Sequence, residues 1–488
     1  MNKDPKRQSF LARFSIYMGV GLAQQVVGLA LLPVFSLVMG AAEIGVLAIL
    51  MALEVLLIIV FDLAITASSV RHYHDHRGDK SAPTIARLFL VSLLVSLLIA
   101  PMAFVLIHWT WTLWTTVPEP SWNILTVLIA SAFLQRINLF AQQMYRTREQ
   151  ARAFAAVAIT RTIALLVLSL VLVGGMGWGI LGVFLARGAA ALLTCIPELK
   201  SLAWPALKPK DDATFDPLLP IWLFAAPLLL QQIANWARAF LDRIVLSNLI
   251  DAAALGVYFA ASLSGMAFAL LSVTFDQTFA PWYYRRRGAE GQSFRDYSSQ
   301  IGRLYLTGLS VVAILSMAVA PEVYTIIFSG DLKGAGLIAP FIILGSYVGS
   351  TANFFSKSLV FNRRVSALPF YTVIGMALGF GMMFLVAPRI GAVAGSIALI
   401  IANLVLLFGA WFSVWRIERP DFSLAFALSS GSILAGYALF VHFSASPLQL
   451  HSIALRLAAA ALCVSVILPL CGRPALSIAL GALRRFRR

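Results

Sequence analysis

Runs of about 20 apolar residues recur from one end of this chain to the other, and no other feature restricts its possible folds as much. A run of that length crosses a bilayer as a helix. Composition agrees: 60% of the 488 residues are hydrophobic and 12% charged, where soluble domains carry about 25% charge. Fourteen spans are predicted, at roughly 14–38, 44–70, 83–107, 122–145, 153–174, 178–199, 218–247, 252–280, 300–320, 336–360, 368–387, 391–415, 422–443 and 450–471. The fold class is therefore an all-α polytopic membrane protein.

The net charge of +16 could suggest nucleic acid, but its placement argues for topology instead. With the N-terminus in the cytoplasm, 29 of the 37 lysines and arginines fall on the inner side. Lys333 and Arg389 alone fall in outer loops, and the other six lie within spans. Positive charge is retained on the cytoplasmic side, so both termini are expected there and no nucleic-acid partner is implied. Trp109, Trp111, Trp114, Trp122 and Trp178 mark the outer interface. The three cysteines (Cys195, Cys463, Cys471) lack metal spacing. His72-x-His74-x-His76 would align only in a strand, so no metal site is expected. Gly174-Gly175-Met176-Gly177 reads as a tight turn.

The chain repeats itself. Gln24-Gln25 returns as Gln231-Gln232, Ala41-Ala42-x-x-Gly45-Val46 as Ala252-Ala253-x-x-Gly256-Val257, and Phe61-Asp62 as Phe275-Asp276, at offsets of 207, 211 and 214. The drift is one helical turn at a time. Internal duplication of this sort is common in secondary transporters. It divides the chain into a first lobe (1–200), a polar cytoplasmic linker (201–217), a second lobe (218–419), and two accessory helices with a basic tail (420–488).

Charges inside the spans are the candidate functional residues, because each costs about 2.5–3.5 kcal/mol at mid-bilayer on insertion scales. Arg136, Arg161 and Arg187 lie on three successive helices and must converge on an interior space or find partners. Two readings are open: a cationic cavity for an anion, suited to arginine's planar fork, or an internal network in which Glu54 and Asp62 pair with two of the arginines. Arg238 and Arg243 extend the cationic set towards the outer end of span 7, where Asp242 lies four residues from Arg238 and can pair with it. Glu54, near mid-span, is the best-placed carrier of a coupling proton. Asp62, Asp242 and Asp276 are gating or capping candidates. Arg456, near the outer end of span 14, is expected to snorkel. No bound cofactor is implied beyond proton or sodium coupling.

Trp236-x5-Asp242-Arg243-x-x-Leu246, Leu255-Gly256-x-Tyr258-x-x-Ala261 and Ala280-Pro281 before a basic loop form a recognisable run. It resembles the polysaccharide-transporter branch, the O-antigen and exopolysaccharide flippases, of the multidrug/oligosaccharidyl-lipid/polysaccharide exporter superfamily. Pro33, Gly40 and Ile44-Gly45 are similar to the first-lobe version. The sharp motif covers about 50 residues. The resemblance implies two six-helix lobes plus two accessory helices in a bacterial cytoplasmic membrane. It implies alternating access that moves undecaprenyl-pyrophosphate-linked oligosaccharide from the cytoplasmic to the outer leaflet through a cationic cavity. The expected partners are that lipid-linked glycan, the bilayer, and a polysaccharide polymerase with its chain-length machinery. Related peptidoglycan-precursor flippases carry arginines in their first helix, whereas span 1 here offers Gln24 and Gln25, which favours a polysaccharide repeat unit.

Two other functions compete. A multidrug exporter of the same superfamily would bind cations, which an arginine-lined cavity repels. A membrane polymerase or glycosyltransferase would want catalytic residues in a large outer loop, and the largest here offer Glu119, Glu322 and Asp331. The expectation is a transporter, not an enzyme.

Overall fold

The computed structural model describes residues 5–75, 82–207, 217–362, 364, 367–417, 423–444, 446 and 448–470. Among these residues the chain is helical throughout, in two compact units that meet in sequence at Asn248 and Leu249. His76, most of the 201–217 linker and the basic tail lie outside the described residues.

The first unit holds α1 (Pro5–Ser36), α2 (Ala41–Asp62), α3 (Ile65–Asp75), α4 (Ala82–Trp114), α5 (Trp122–Thr147), α6 (Ala151–Ser169), α7 (Gly179–Leu207) and α8 (Leu218–Ser247). The sequence repeat assigns α8 to the second lobe. Its contacts are with the first: Trp236 Nε1 donates to the Ala52 carbonyl at 2.7 Å, and Thr116 Oγ1 to the Ser247 carbonyl at 2.5 Å. The α6–α7 junction passes through a π turn, Leu170–Gly175, and then through Gly177 and Gly179, both at positive φ. The glycines make that tight reversal possible without Cβ strain.

The expected span 44–70 is broken. α2 stops at Asp62, and Leu63 and Ala64 both take left-handed backbone conformations (φ 50° and 56°) before α3 begins. Two successive non-glycine residues at positive φ are costly, so local bonds must hold the break. Asp62 supplies them, accepting the Thr66 backbone N–H at 3.3 Å and the Thr66 hydroxyl.

The second unit holds α9 (Ala252–Ile327), α10 (Ala335–Phe361), α11 (Ala367–Ile390), α12 (Val393–Ile417), α13 (Leu424–Ser444) and α14 (Leu450–Leu470). Where sequence expects two spans and a basic loop, α9 stays helical for 76 residues. It nonetheless folds back on itself. Phe275 stacks on Tyr305 with ring centroids 3.8 Å apart, and the Tyr324 hydroxyl donates to the Ala260 carbonyl at 3.0 Å. A straight helix would hold Phe275 and Tyr305 about 45 Å apart, so the two arms are antiparallel and each crosses separately. Small residues let α11 and α12 approach closely. A Cβ on Gly375 would lie 2.6 Å from the Ala402 carbonyl oxygen, and one on Gly379 2.7 Å from that of Ala398, which is the small-xxx-small contact of membrane helices.

Hydrogen bonds tie α13 and α14 to this unit. Tyr347 on α10 shares its hydroxyl with Ser430 at 2.8 Å and accepts from Ser310 at 3.1 Å. Arg456 does not snorkel. It is fully buried and forms a bidentate pair with Glu322 while donating to the Ala318 carbonyl at 3.1 Å. With an acid and a carbonyl in reach, the guanidinium has no need to climb to the interface.

Twelve helical segments among the described residues are long and apolar enough to cross a membrane. The sixth and seventh expected spans are helical but fall short of that mark. The apolar part of α7 is the shorter stretch Gly179–Cys195, and α8 interrupts its apolar run with Gln231, Gln232 and Asn235.

Candidate functional site

The first unit carries an open cavity of about 700 Å³ lined by α2, α3, α5, α6, α7 and α8. Arg136, Arg161 and Arg187 all line it, from three different helices, together with Asp62, Thr66, Gln135, Gln143 and Gln232. The remaining wall is apolar, including Val55, Ile58, Ile59 and Leu139.

Each arginine is held differently. Arg187 Nη2 lies 2.7 Å from Glu54 Oε2, and Glu54 is entirely buried behind the cavity wall. The other Glu54 oxygen accepts from Ser131 at 2.7 Å and from Gln135 Nε2 at 2.6 Å. Arg136 donates to the Ser92 hydroxyl, lies 5.3 Å over the Phe89 ring, and has Nε 3.9 Å from Asp62 Oδ1. At that separation the pair with Asp62 is electrostatic rather than a hydrogen bond. Arg161 donates to Gln135 Oε1 at 2.8 Å and has no carboxylate within ion-pairing distance among the described residues.

Gln135 is thus the hub. Its oxygen accepts from Arg161, and from Arg187 at 3.5 Å, while its amide donates to Glu54. An amide suits this place because it offers both an acceptor for cations and a donor for a carboxylate. Three guanidinium groups thus line the cavity, and two carboxylates, Glu54 and Asp62, lie within ion-pairing distance of two of them. Two of the arginines have acids beside them, and the third has an amide.

The remaining candidates lie elsewhere. Arg238 is exposed, and Arg243 is buried with its guanidinium 5.1 Å over the Phe240 ring. Neither is among the residues lining the cavity. They follow Gln232 on α8 by 6 and 11 residues, about 9 and 16 Å along the axis. Asp242 accepts the Arg243 backbone N–H at 2.9 Å. The side chain of Asp276 lies outside the described residues, and α9 runs through that position without the break that follows Asp62. His72 is buried and His74 exposed, so the two do not face one way. No metal-holding group of His, Cys, Asp or Glu occurs among the described residues.

Ser92, Ser131 and Gln135 escape a sequence reading that weighs charges alone. A signal is present all the same. Ser131, Gln135, Asn138 and Gln142 recur at i, i+4, i+7 and i+11 in an otherwise apolar span, the spacing of one helical face.

The sequence profile of a family described as polysaccharide biosynthesis proteins matches residues 10–284, more than half of the chain. The chain belongs to that family. Its fold is that of the multidrug/oligosaccharidyl-lipid/polysaccharide exporter superfamily. The structure of the lipid II flippase MurJ in an inward closed conformation superimposes with a TM-score of 0.69 at 12% identity, over 95% of this chain and 100% of that one. An inward-facing multidrug-resistance transporter of the same superfamily gives 0.63 at 16% identity, over 81% and 94%. A superfamily transporter from Pyrococcus furiosus, described as having a binding pocket of reverse polarity, gives 0.55 at 17%, over 85% and 96%. At these identities the three share the fold with this chain. No curated protein matches it by sequence. The fold is thus one that known membrane transporters and a flippase share.

Proposed function

We propose that this family member is a flippase for undecaprenyl-pyrophosphate-linked oligosaccharide repeat units, of O-antigen or exopolysaccharide type, working in a bacterial cytoplasmic membrane. The observation that carries the proposal is the convergence of Arg136, Arg161 and Arg187 on one cavity. Guanidinium forks pair with phosphate oxygens in two-point geometry. Gln143, Gln232 and Thr66 add neutral donors and acceptors of the kind that sugar hydroxyls use. The apolar part of the wall lowers the local polarity, which strengthens a charged contact made there. A polyprenyl tail would remain in the bilayer while the headgroup crosses.

Arg161, whose partner is an amide, is the first phosphate contact in this reading. Arg136 and Arg187 join as the phosphates displace Asp62 or compete with Glu54. Outward release would come as the carboxylates reclaim their arginines. A cationic drug would meet three arginines in this lining, which argues against multidrug export.

The test is the lipid-linked saccharide pool of a deletion strain complemented with wild type or with Arg161→Ala. Repeat units accumulating on the inner leaflet in the deletion and in the Arg161→Ala strain, with normal protein levels, support the flippase. An unchanged pool together with reduced dye efflux would replace it by a drug exporter.

A further inference from the structure

One oxygen atom stands where the cavity arginines would hold an anion. Gln135 Oε1 accepts from Arg161 Nη2 at 2.8 Å and, more weakly, from Arg187 Nη2 at 3.5 Å. Guanidinium groups from two different helices thus meet on a single acceptor, as they would on a phosphate oxygen between them. Further donors remain over. Nε and Nη1 of Arg161 have no acceptor among the described residues, and Nε of Arg187 and Nε and Nη1 of Arg136 are buried without one.

The far end of the amide fixes which atom faces the arginines. Gln135 Nε2 donates to Glu54 Oε1 at 2.6 Å and to the Ser131 hydroxyl at 3.0 Å. Reversing the amide would set its N–H groups against two guanidinium donors and its oxygen against a carboxylate, so this orientation alone satisfies both sides. Gln135 is buried and belongs to the cavity lining.

We propose that Gln135 determines how tightly the cavity holds its cargo, its amide oxygen occupying the place of a phosphate oxygen that must displace it. The proposal rests on the flippase reading above. An amide oxygen is neutral, so its bonds to a guanidinium are weaker than those of phosphate, where both partners are charged. Cargo can therefore displace the amide, and the returning amide helps cargo to leave. Transport needs that balance, because binding must be strong enough to load and weak enough to release. Glu54 is not left bare when the amide gives way, since Ser131 donates to the same oxygen at 2.7 Å. The rival role for Gln135 is to hold Arg161 in position, and the two roles predict opposite signs.

Titration calorimetry of the full-length protein in lipid nanodiscs, with inorganic pyrophosphate at fixed pH and salt, reads that sign. Gln135→Met keeps the reach of the side chain and removes both hydrogen-bonding ends. It should bind pyrophosphate about tenfold more tightly than wild type, as expected when one hydrogen bond to a charged group no longer has to be displaced. A residue that only positioned Arg161 would give weaker binding on the same change. The gain should vanish without Arg161, so an equal gain from Gln135→Met in an Arg161→Ala background overturns the proposal. Should Gln135→Met fail to fold, Gln135→Asn, which keeps an amide but draws it back by one methylene, is measured in its place with the same sign expected. Binding by wild type that is unchanged or weaker in the variant overturns the proposal and leaves the flippase reading standing. Absence of binding by wild type and variant alike overturns both.

Discussion

At the scale of the residue, the three cavity arginines separate by what each leaves behind when removed. Arg161→Ala strands an amide, so it should lower flipping severely while changing thermal stability by about 1 kcal/mol or less. Arg187→Ala strands Glu54, a fully buried carboxylate, and uncompensated buried charge costs about 3–5 kcal/mol. That variant should melt early and accumulate poorly. Adding Glu54→Gln to it should restore the melting temperature without restoring transport. Thermal denaturation of detergent-purified variants, read beside the lipid-linked pool in cells, checks the set; equal destabilisation by Arg161→Ala and Arg187→Ala would contradict it. The arginines are legible in the sequence because charge in an apolar run is conspicuous. Gln135 is not, since a neutral amide barely disturbs hydropathy, although it makes the contacts that join the arginines to Glu54. Arg456 misleads for the same reason in reverse: its partner, Glu322, lies 134 residues away in a stretch that reads as a loop.

At the scale of the element, the break between α2 and α3 and the bolt between α9 and α14 are the devices that hydropathy alone does not reveal. An unbroken apolar pattern from 44 to 70 gives no hint that Leu63 and Ala64 leave the helical region, because neither residue is a breaker. Glycine tolerates those angles at less cost than alanine, so Leu63→Gly should be more stable than Leu63→Ala by up to about 1 kcal/mol, both having lost the side chain that packs on this unit's core. Were the break an incidental bend free to become helical, the glycine variant would be the less stable by a comparable amount, and the sign of the difference in melting temperature distinguishes the two. The bolt is tested by Glu322→Gln, which leaves the buried guanidinium of Arg456 with carbonyl acceptors and without its charge partner. A loss of about 3–5 kcal/mol is expected, largely recovered in the double variant Glu322→Leu with Arg456→Met, where neither charge remains. α9 teaches the complementary lesson. Spans at 252–280 and 300–320 are legible from hydropathy, yet the backbone between them keeps helical form through residues such as Arg285, Arg286, Ala289 and Glu290, which are good helix formers.

At the scale of the whole molecule, the helical class and the position of nearly every span can be read from apolar run length, while the packing of α8 cannot. The repeat associates α8 with the second lobe, but Trp236, Ser247 and Asn248 bond to Ala52, Thr115, Thr116 and Trp114. Long-range hydrogen bonds of this kind leave no local pattern. Orientation is a different matter, since the asymmetry of lysine and arginine is itself the physical determinant. By that asymmetry the turn between α4 and α5 is expected outside and the turn between α5 and α6 inside. Ser121 and Gln150 are exposed at those two turns, and neither side chain caps its helix. In a background with Cys195, Cys463 and Cys471 replaced by serine or alanine, a membrane-impermeant maleimide added to intact cells should label Ser121→Cys and spare Gln150→Cys, which should react only after permeabilisation. The opposite pattern would invert the protein in the membrane, and the arginine cavity would then have to load from the outer leaflet. Labelling at both positions would mean that the α5 span is not a stable crossing. A flippase that takes its cargo from a cytoplasmic assembly line survives only the first outcome.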